Sequence, residues 1–401
     1  MKPRAQAKSS AGKARIAWLL PSMKGGFYWQ PLFREFTSLF PKTLILTGCW
    51  PGFLPGLEDV LRVRQLRGIR FVTLEQRGEG YSSGFTWASP SILWHLIRFR
   101  PRVIFVIGFN FWTLYVLALK ALMGWRVILL WEGISPTIAY LDAPFRLTAR
   151  RMMARNFDAT ITNTQEAMDY LRDVIRIPIS KLLRHPYEVA ELSTMRSGRN
   201  VRNSNKVDSS LKFLYVGQLI RRKGIHLLLR ACELLVQRGL DSFSVAVVGE
   251  GEEGEELRKE SARLGLEARV HWVGAINYRD LGVCYQDCDA FVLPTLEDTW
   301  ALVVLEAMVA GKPVLCSKFA GAKELVHHGV NGYLFDPGNP AELADCMEHL
   351  VREPRLLAQF GQRSKEIIAP FTPQRAAEVL ATCINYVLKP TKGNGFLSRQ
   401  P

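Results

Sequence analysis

Short apolar runs recur along the chain, and segments in which apolar residues repeat every three or four positions separate several of them. Runs of four to six apolar residues bounded by turn residues are typical of buried strands, and the intervening period is typical of helices. The strands predicted in the first half are residues 15–20, 43–47, 69–74, 103–107, 127–131 and 159–162. Because strands that alternate with helices form parallel sheets, we predict an α/β fold with helices on both faces of the sheet.

A second series of apolar runs suggests a second domain. Its predicted strands are residues 213–216, 244–248, 270–273, 290–293, 313–316 and 332–335. Ser, Arg, Asn and Gly dominate residues 191–210, which is the composition of a linker. Two such halves would enclose a ligand cleft at the carboxyl ends of both sheets.

These patterns give the expected domain boundaries. The first domain is predicted at residues 13–190 and the second at residues 211–371, with the linker 191–210 between them. A helix at residues 372–388 is expected to return to the first domain. The composition after Pro390 predicts a disordered tail.

The loop after the predicted strand 290–293 carries candidate chemistry. It is polar and leads into a helical pattern that begins at about Trp300. Asp298 lies in the loop, and Glu306 lies eight positions later, inside the helix. A helix N-terminus presents unpaired N–H groups and the positive end of its dipole, which suits a phosphate. The two carboxylates would then face a sugar and a ribose, whereas an ordinary strand–helix unit with surface acids is the alternative.

A cationic loop at residues 217–224 follows the first strand of the second half and precedes a helix predicted at 225–237. Three consecutive cations, Arg221, Arg222 and Lys223, could hold a departing diphosphate. A basic surface turn is the alternative. The later turn Gly249-Glu250-Gly251 begins like a dinucleotide-binding fingerprint, but acids crowd its phosphate position, so we discount an oxidoreductase.

Composition excludes several classes of protein. An apolar fraction of 48% with 10% aromatic residues is too high for a disordered chain. The seven cysteines are scattered without metal-type spacing, so we expect buried thiols in a reducing cytosol and no metal site. The uncharged stretch 103–119 is short for a membrane span and is interrupted at 108–110, so a strand, a turn and a helix from about residue 112 are the better prediction.

The net charge of +15 lies entirely in the first half. Residues 1–200 hold 28 Lys and Arg against 13 Asp and Glu, whereas residues 201–401 hold 24 of each. Such a field suits an anionic acceptor or an anionic membrane surface. Nucleic acid is the rival partner, but no nucleic-acid reading motif accompanies the charge, so none is expected. A plain solvated surface remains open.

The motifs of the second half resemble the retaining glycosyltransferases of GT-B fold, carbohydrate-active family 4 (the glycosyltransferase group 1 domain). The family pattern Glu-x7-Glu, followed by Ala-Met and a small-Gly-x-Pro-Val run, corresponds to Asp298, Glu306 and residues 307–314. The family runs Gly-x-Pro-Glu-Leu-Val and Gly-x-Asn-Gly correspond to residues 321–326 and 329–332.

The family's Gly-Arg-Leu-x3-Lys-Gly run corresponds to residues 217–224, with two departures nearby. Lys223 stands at the Lys, but Gln218 replaces the Arg, so Arg222 or Arg221 would have to supply the missing charge. Ala301 replaces the family's Gly after the aromatic residue. These departures leave open which sugar the site accepts.

The resemblance implies a GT-B fold of two Rossmann-like domains. The first domain would bind the acceptor, and the second would bind the nucleotide-sugar donor. The residues expected to take part in the reaction are Lys223, Arg222, Asp298 and Glu132, the last standing near where many members carry a His. The residues expected to bind the donor are Gly25, Gly26, Gln218, Gly274, Ala275, Thr299, Trp300, Ala301, Leu302 and Glu306. Asp298 would hold hydroxyls of the donor sugar and Glu306 the ribose.

The function implied by the resemblance is transfer of a sugar, with retention of configuration, from a nucleotide-diphosphate sugar to a glycan or lipid-linked glycan. A hexose donor, cell-surface polysaccharide synthesis and a place on the inner face of the cytoplasmic membrane are expected, with no metal or other cofactor. Two alternatives stay open: a GT-B sugar-nucleotide epimerase, which needs no acceptor, and a catalytically impaired scaffold, which would follow from the changes at Gln218 and Ala301.

Overall fold

The chain folds into two parallel sheets with helices on their faces. The computed structural model describes residues 13–23, 26–75, 80–81, 83–191 and 210–389. In chain order the strands are β1 (Ile16–Leu20), β2 (Thr43–Thr47), β3 (Val63–Gln65), β4 (Arg70–Glu75), β5 (Ser83–Trp87), β6 (Val103–Ile107), β7 (Arg126–Trp131), β8 (Ala159–Thr162), β9 (Leu182–Arg184), β10 (Leu211–Val216), β11 (Phe243–Val248), β12 (Val270–Gly274), β13 (Ala290–Leu293), β14 (Val314–Ser317) and β15 (Gly332–Phe335). The helices are α1 (Trp29–Leu39), α2 (Ile92–Phe99), α3 (Phe111–Met123), α4 (Pro136–Ala139), α5 (Pro144–Ala154), α6 (Gln165–Asp169), α7 (Ile225–Gln237), α8 (Gly254–Arg263), α9 (Leu281–Asp287), α10 (Leu302–Val309), α11 (Pro340–Arg352), α12 (Arg355–Ile368) and α13 (Pro373–Leu388).

The first sheet has seven strands in the order β3-β2-β1-β6-β7-β8-β9, all parallel. Its central strands are apolar along their whole length because helices cover both faces. On one face Trp18 and Phe105 of the sheet pack with Phe33 of α1. On the other face Leu129 of the sheet shares a buried cluster with Ile92 of α2 and Trp112 of α3.

The second sheet has six parallel strands in the order β12-β11-β10-β13-β14-β15. In each sheet the strand order reverses once, between β1 and β6 in the first and between β10 and β13 in the second. The loops that follow the two strands at such a point diverge, and the crevice between them is where ligands bind in open α/β sheets. The parallel α/β fold predicted from the sequence is therefore confirmed.

The last helix, α13, belongs to the core of the first sheet. Ala376, Leu380 and Ile384 are buried there with the side chains of α1. Thr372 begins this helix, because its hydroxyl accepts a hydrogen bond from the N–H of Arg375 at 3.1 Å. The chain thus crosses from the second sheet back to the first just before this helix.

Some predicted elements differ from the structure. The strand predicted at 69–74 does not join the parallel sheet; β4 pairs with β5 as an antiparallel hairpin. Polar residues at Arg70 and Thr73 interrupt the apolar run that a strand covered on both faces would need. The edge strands β3 and β9 were not predicted, because each has only three residues and lies at the rim of its sheet.

The stretch 103–119 forms β6, a turn and most of α3, as the sequence predicts. Within the described part of the chain, no helix combines the length and the apolar character that crossing a membrane requires. The predicted tail after Pro390 and nearly all of the predicted linker lie outside the described residues.

Candidate functional site

The two loops that carry the predicted chemistry meet at the reversal point of the second sheet. Residues 217–224 follow β10, and residues 294–301 follow the neighbouring strand β13. Gly224 has a φ of +70°, and a side chain there would overlap the carbonyl oxygen of Pro294. Glycine is therefore what lets the cationic turn lie directly against the acidic loop.

Lys223 and Asp298 form an ion pair at the centre of this site. Their side chains are only 15% and 9% exposed, so water screens the pair weakly. Burial by itself would raise the pKa of Asp298, but the Lys223 ammonium and the Arg222 guanidinium hold that pKa below its usual value. Asp298 is therefore a buried carboxylate that stays ionised.

Arg222 reaches the same loop and also contacts the first half of the chain. Its guanidinium donates a 2.6 Å hydrogen bond to the carbonyl oxygen of Glu297. The guanidinium also lies 3.9 Å from the ring centroid of Tyr81, close enough for a cation–π contact. The predicted cations Arg222 and Lys223 are thus brought together with Asp298.

Glu297 connects the two halves across the cleft. Its carboxylate accepts hydrogen bonds from the backbone N–H of Thr137 at 2.9 Å and from the Thr137 hydroxyl at 2.7 Å. It also accepts one from the backbone N–H of Tyr81 at 3.0 Å. Glu297 is buried and fully engaged in these contacts, so it holds the halves together while the adjacent Asp298 faces Lys223.

The start of helix α10 differs from the prediction. The helix begins at Leu302 rather than at Trp300, because Ala301 has a φ of +68° and cannot take a helical conformation. The N–H of Trp300 points at the Asp298 carboxylate at 3.4 Å, and the N–H of Thr299 points at the Tyr81 hydroxyl at 3.5 Å. These two N–H groups, which the sequence assigned to a phosphate, therefore already have partners.

Glu306 lies inside α10 and is 2% exposed. Its carboxylate accepts a 2.7 Å hydrogen bond from the hydroxyl of Tyr285. Burial raises the pKa of Glu306 to about 7, although the Tyr285 hydrogen bond acts in the opposite direction. Such a group changes its protonation state near neutral pH.

Glu132 brings the first half to the same place. It follows β7, and the backbone at Gly133 lies so close to the carbonyl oxygen of Thr299 that a side chain at Gly133 would overlap it. The carboxyl group of Glu132 lies near the side chains of Thr299 and Glu188. Burial and the nearby charge of Asp298 raise its pKa.

The remaining predicted donor residues are more dispersed. Gly26 is buried in the turn before α1, and the side chain of Gln218 is exposed to solvent. Gly274 ends the edge strand β12 with a φ of +83°, and Ala275 beside it is exposed. Gly25 lies outside the described residues.

Sequence reasoning missed two acids of the site. Glu188 is buried beneath Trp300, whose indole N–H donates a 2.9 Å hydrogen bond to the Glu188 carbonyl oxygen. The sequence did contain a sign of Glu188, which is the one acid in the otherwise apolar run 187–190. Burying a carboxyl group without a polar partner is costly, so an acid in such a run indicates a specific role. Glu297, the second acid, is next to Asp298 in the chain and was not among the predicted site residues. Among the described residues no group of three or more His, Cys, Asp or Glu could hold a metal ion.

Comparison with known proteins relates the second half of the chain to a family of glycosyltransferases. The family model of the glycosyl transferases group 1 matches residues 198–367. An uncharacterized glycosyltransferase of Methanocaldococcus jannaschii is 34% identical over 156 residues, which are 39% of this chain and 38% of that relative. The alpha-D-kanosaminyltransferase of Streptomyces kanamyceticus is 23% identical over 316 residues, which are 74% of this chain and 81% of that relative.

Solved structures agree with the fold. Anabaena HepE in complex with UDP superimposes with a TM-score of 0.75 at 19% identity, covering 92% of this chain and 99% of that chain. At this identity the likeness concerns the architecture, namely two Rossmann-like domains that face each other across a cleft. The chain has the GT-B fold, and its residues 198–367 match the family model of the glycosyl transferases group 1.

Proposed function

We propose that this protein transfers a sugar, with retention of configuration, from a nucleotide-diphosphate sugar to a glycan or lipid-linked glycan. The observation that carries the proposal is the buried Lys223–Asp298 ion pair, with Arg222 beside it, at the reversal point of the second sheet. Two cations and one ionised acid at this place suit a diphosphate bonded to a sugar. Preorganised charges of this kind stabilise the charge that develops on a leaving group.

Each residue then has a defined role. Lys223 and Arg222 bind the departing diphosphate, and Asp298 accepts hydrogen bonds from hydroxyls of the donor sugar. Glu306 lies on α10, beyond the same loop, and accepts a hydrogen bond from the ribose when it is ionised. The backbone at Gly274 and Ala275, at the carboxyl end of β12, faces the nucleobase.

The reaction needs no protein nucleophile. The acceptor oxygen bonds to the anomeric carbon on the face from which the diphosphate departs, and the diphosphate takes the acceptor's proton. Because Lys223 and Arg222 supply positive charge for the diphosphate, we expect that a metal ion or other cofactor has no required role. HepE, a protein of the same fold, has been solved with UDP, which supports a uridine nucleotide as the first donor to test.

Thermal-shift screening against UDP- and GDP-linked sugars tests donor binding. A ligand present at a hundred times its Kd stabilises the folded protein by about 2.7 kcal/mol, so at least one nucleotide sugar should raise Tm clearly. Lys223→Ala should lose this shift. Lys212→Ala is the matched control, because Lys212 forms an exposed ion pair with Asp287 at the other end of β10. If no nucleotide or nucleotide sugar shifts Tm, the proposal is wrong.

We further propose that the first half docks on an anionic membrane surface on the cytoplasmic side, where a lipid-linked acceptor would lie. Helix α5 exposes Phe145 at 85% and Met152 at 62%, and the exposed Arg155 follows directly after the helix. These residues are seven and three positions apart, so they share one side of the helix. Apolar side chains beside a cation are the composition of a helix that lies in a membrane interface.

Vesicle co-sedimentation tests the docking surface. The protein should bind phosphatidylglycerol vesicles more than neutral ones, and high salt should weaken the binding because it screens the charge. The double variant Phe145→Ser/Met152→Ser should bind less, whereas Val330→Ser, an exposed apolar position of the second half, should not change binding. Equal and negligible binding to both vesicle types would favour a soluble acceptor.

A further inference from the structure

Two carboxyl groups from distant parts of the first half meet under the cleft. Glu132 follows β7, and Glu188 lies four residues beyond β9. Asn163 fixes both backbones: its N–H donates to the carbonyl oxygen of Glu132 at 3.2 Å, and its side-chain oxygen accepts from the N–H of Tyr187 at 3.0 Å. The indole of Trp300 holds Glu188 from the other half. The pair is therefore built into the rigid part of the site.

The carboxyl groups of Glu132 and Glu188 lie within hydrogen-bonding reach of each other. A carboxylate can only accept hydrogen bonds, so a hydrogen bond between the two carboxyl groups forms only when one of them holds a proton. Glu188 is 5% exposed, and its Oε1 atom has no hydrogen-bond partner. Burial and the neighbouring Glu132 raise the pKa of Glu188 well above its usual range. The pair accordingly carries a single negative charge until the pH is high enough to remove the shared proton.

The charged and titratable groups around the pair do not supply a cation to it. Among the described residues, those that interact electrostatically with one or both carboxyls are Asp298, Tyr28 and Tyr187. The cations of the site, Lys223 and Arg222, lie against Asp298 instead. The shared proton is thus what keeps the pair from carrying two adjacent buried charges.

We propose that Glu188 is a positioning residue for the transfer reaction: it shares one proton with Glu132, so that Glu132 presents one negative charge to the bound sugar. This inference rests on the proposed function. During transfer the bond from the anomeric carbon to the diphosphate oxygen breaks, and the electron pair leaves with the diphosphate. The acceptor oxygen bonds to that carbon, and its proton goes to the diphosphate, while the carboxyl pair keeps its own proton.

A single charge suits this step better than none or two. Sugar transfer passes through a state with positive charge on the sugar ring, as in glycoside hydrolysis, and one nearby negative charge stabilises it. A second charge would repel the diphosphate of the incoming donor. Loss of the shared proton at high pH should therefore weaken donor use.

The first test is the pH profile of nucleoside diphosphate release by the full chain, from about pH 5 to about pH 9. The wild-type rate should decline at the alkaline side by about tenfold per pH unit, as loss of one proton predicts. Glu188→Gln should abolish this decline, because the amide donates to Glu132 but cannot ionise. Glu191→Gln, at a partly exposed ion pair with Arg34, should keep the wild-type profile. An alkaline decline that persists unchanged in Glu188→Gln, or that is absent from the wild type, overturns the proposal.

The second test does not depend on activity. At neutral pH the infrared spectrum of the wild-type protein should contain the band of a protonated carboxyl group that Glu188→Gln and Glu132→Gln each lose. Taking differences between these proteins removes the contribution of Glu306, which all of them share. If neither the wild type nor the variants release nucleoside diphosphate, but each variant loses the band, the proposed function is wrong and the shared proton is supported. If the band is unchanged in Glu188→Gln, the shared proton is refuted.

Discussion

The substitution Glu306→Gln should make the stability of the protein less dependent on pH. In the folded protein burial raises the pKa of Glu306 from 4.5 to about 7. A carboxyl with a raised pKa binds its proton more tightly in the folded state than in the unfolded state. The folded state is therefore favoured at low pH, and stability is lost as the pH rises from about 4.5 to about 7.

The size of this loss follows from the shift. One pKa unit corresponds to about 1.4 kcal/mol, so ionising Glu306 in the folded protein costs about 3 kcal/mol above neutral pH. Glutamine has the same shape and no charge, so the variant avoids this cost. Its amide N–H groups need partners, and an unmet group costs about 1–3 kcal/mol, but that cost does not change with pH. The change with pH in the stability difference between the variant and the wild type therefore reports the charge on Glu306.

The assay is thermal unfolding of both proteins at about pH 5 and about pH 8. The Tm of Glu306→Gln relative to the wild type should rise by about 5–10 °C between these pH values, as about 2–3 kcal/mol implies for a domain of this size. Glu255→Gln is the control, because that side chain is 82% exposed. The same Tm difference at both pH values would refute the view that Glu306 carries a buried charge. We also expect the variant to bind nucleoside diphosphate more weakly than the wild type, so the same substitution would stabilise the protein and weaken binding.

The remaining predictions concern the reaction and the loop. Lys223→Ala should lower the transfer rate by about 10²–10³-fold, because it removes a preorganised charge, and Lys223→Arg should restore part of the rate; near-normal turnover of Lys223→Ala would contradict the site assignment. Asp298→Glu should leave nucleotide affinity nearly unchanged and alter sugar selectivity in a competition assay, because it restores the family's usual acid. Ala301→Gly should raise stability by up to about 1 kcal/mol, because the left-handed backbone at Ala301 strains any residue with a side chain; lower stability in thermal unfolding would show that the Ala301 methyl packs usefully. EDTA should leave activity unchanged; a rate that vanishes in EDTA and returns with Mg²⁺ or Mn²⁺ would contradict metal independence.

The sequence predicted the parts of the site that are local in the chain. Lys223 follows one strand and Asp298 follows another, and parallel strands place their carboxyl ends at one edge of the sheet, so both residues were expected in the same cleft. Their ion pair was not predicted. The reversal of strand order between β10 and β13, which makes these two strands neighbours, comes from the topology and not from either segment.

Contacts between the two halves could not be predicted from local patterns. Glu297 accepts hydrogen bonds from Thr137, which is 160 positions away in the chain. Glu188, which lies beyond β9, is close to Glu132, which follows β7. The carboxylate of Glu324 accepts a hydrogen bond from the N–H of Gln165, in the other half, at 2.6 Å. Such pairs depend on how the halves sit across the cleft, which no short segment encodes.

Backbone conformation explains the remaining local error. The apolar period after Trp300 is correct for a helix, but the pattern contains no sign that Ala301 adopts a left-handed conformation. In the resembling family a glycine stands there, and glycine is the usual marker of such a turn. Replacement of that glycine by alanine therefore hid the true start of the helix.

Release of nucleoside diphosphate from a nucleotide sugar tests the central claim most directly. The full chain is incubated with UDP- and GDP-sugars and a lipid-linked glycan acceptor, and the freed diphosphate and the anomeric configuration of the product are measured together. We predict acceptor-dependent release by the wild type, a product with the configuration of the donor, and loss of release in Lys223→Ala. Release of inverted product, conversion of the nucleotide sugar into its epimer without an acceptor, or equal release by Lys223→Ala would contradict the account.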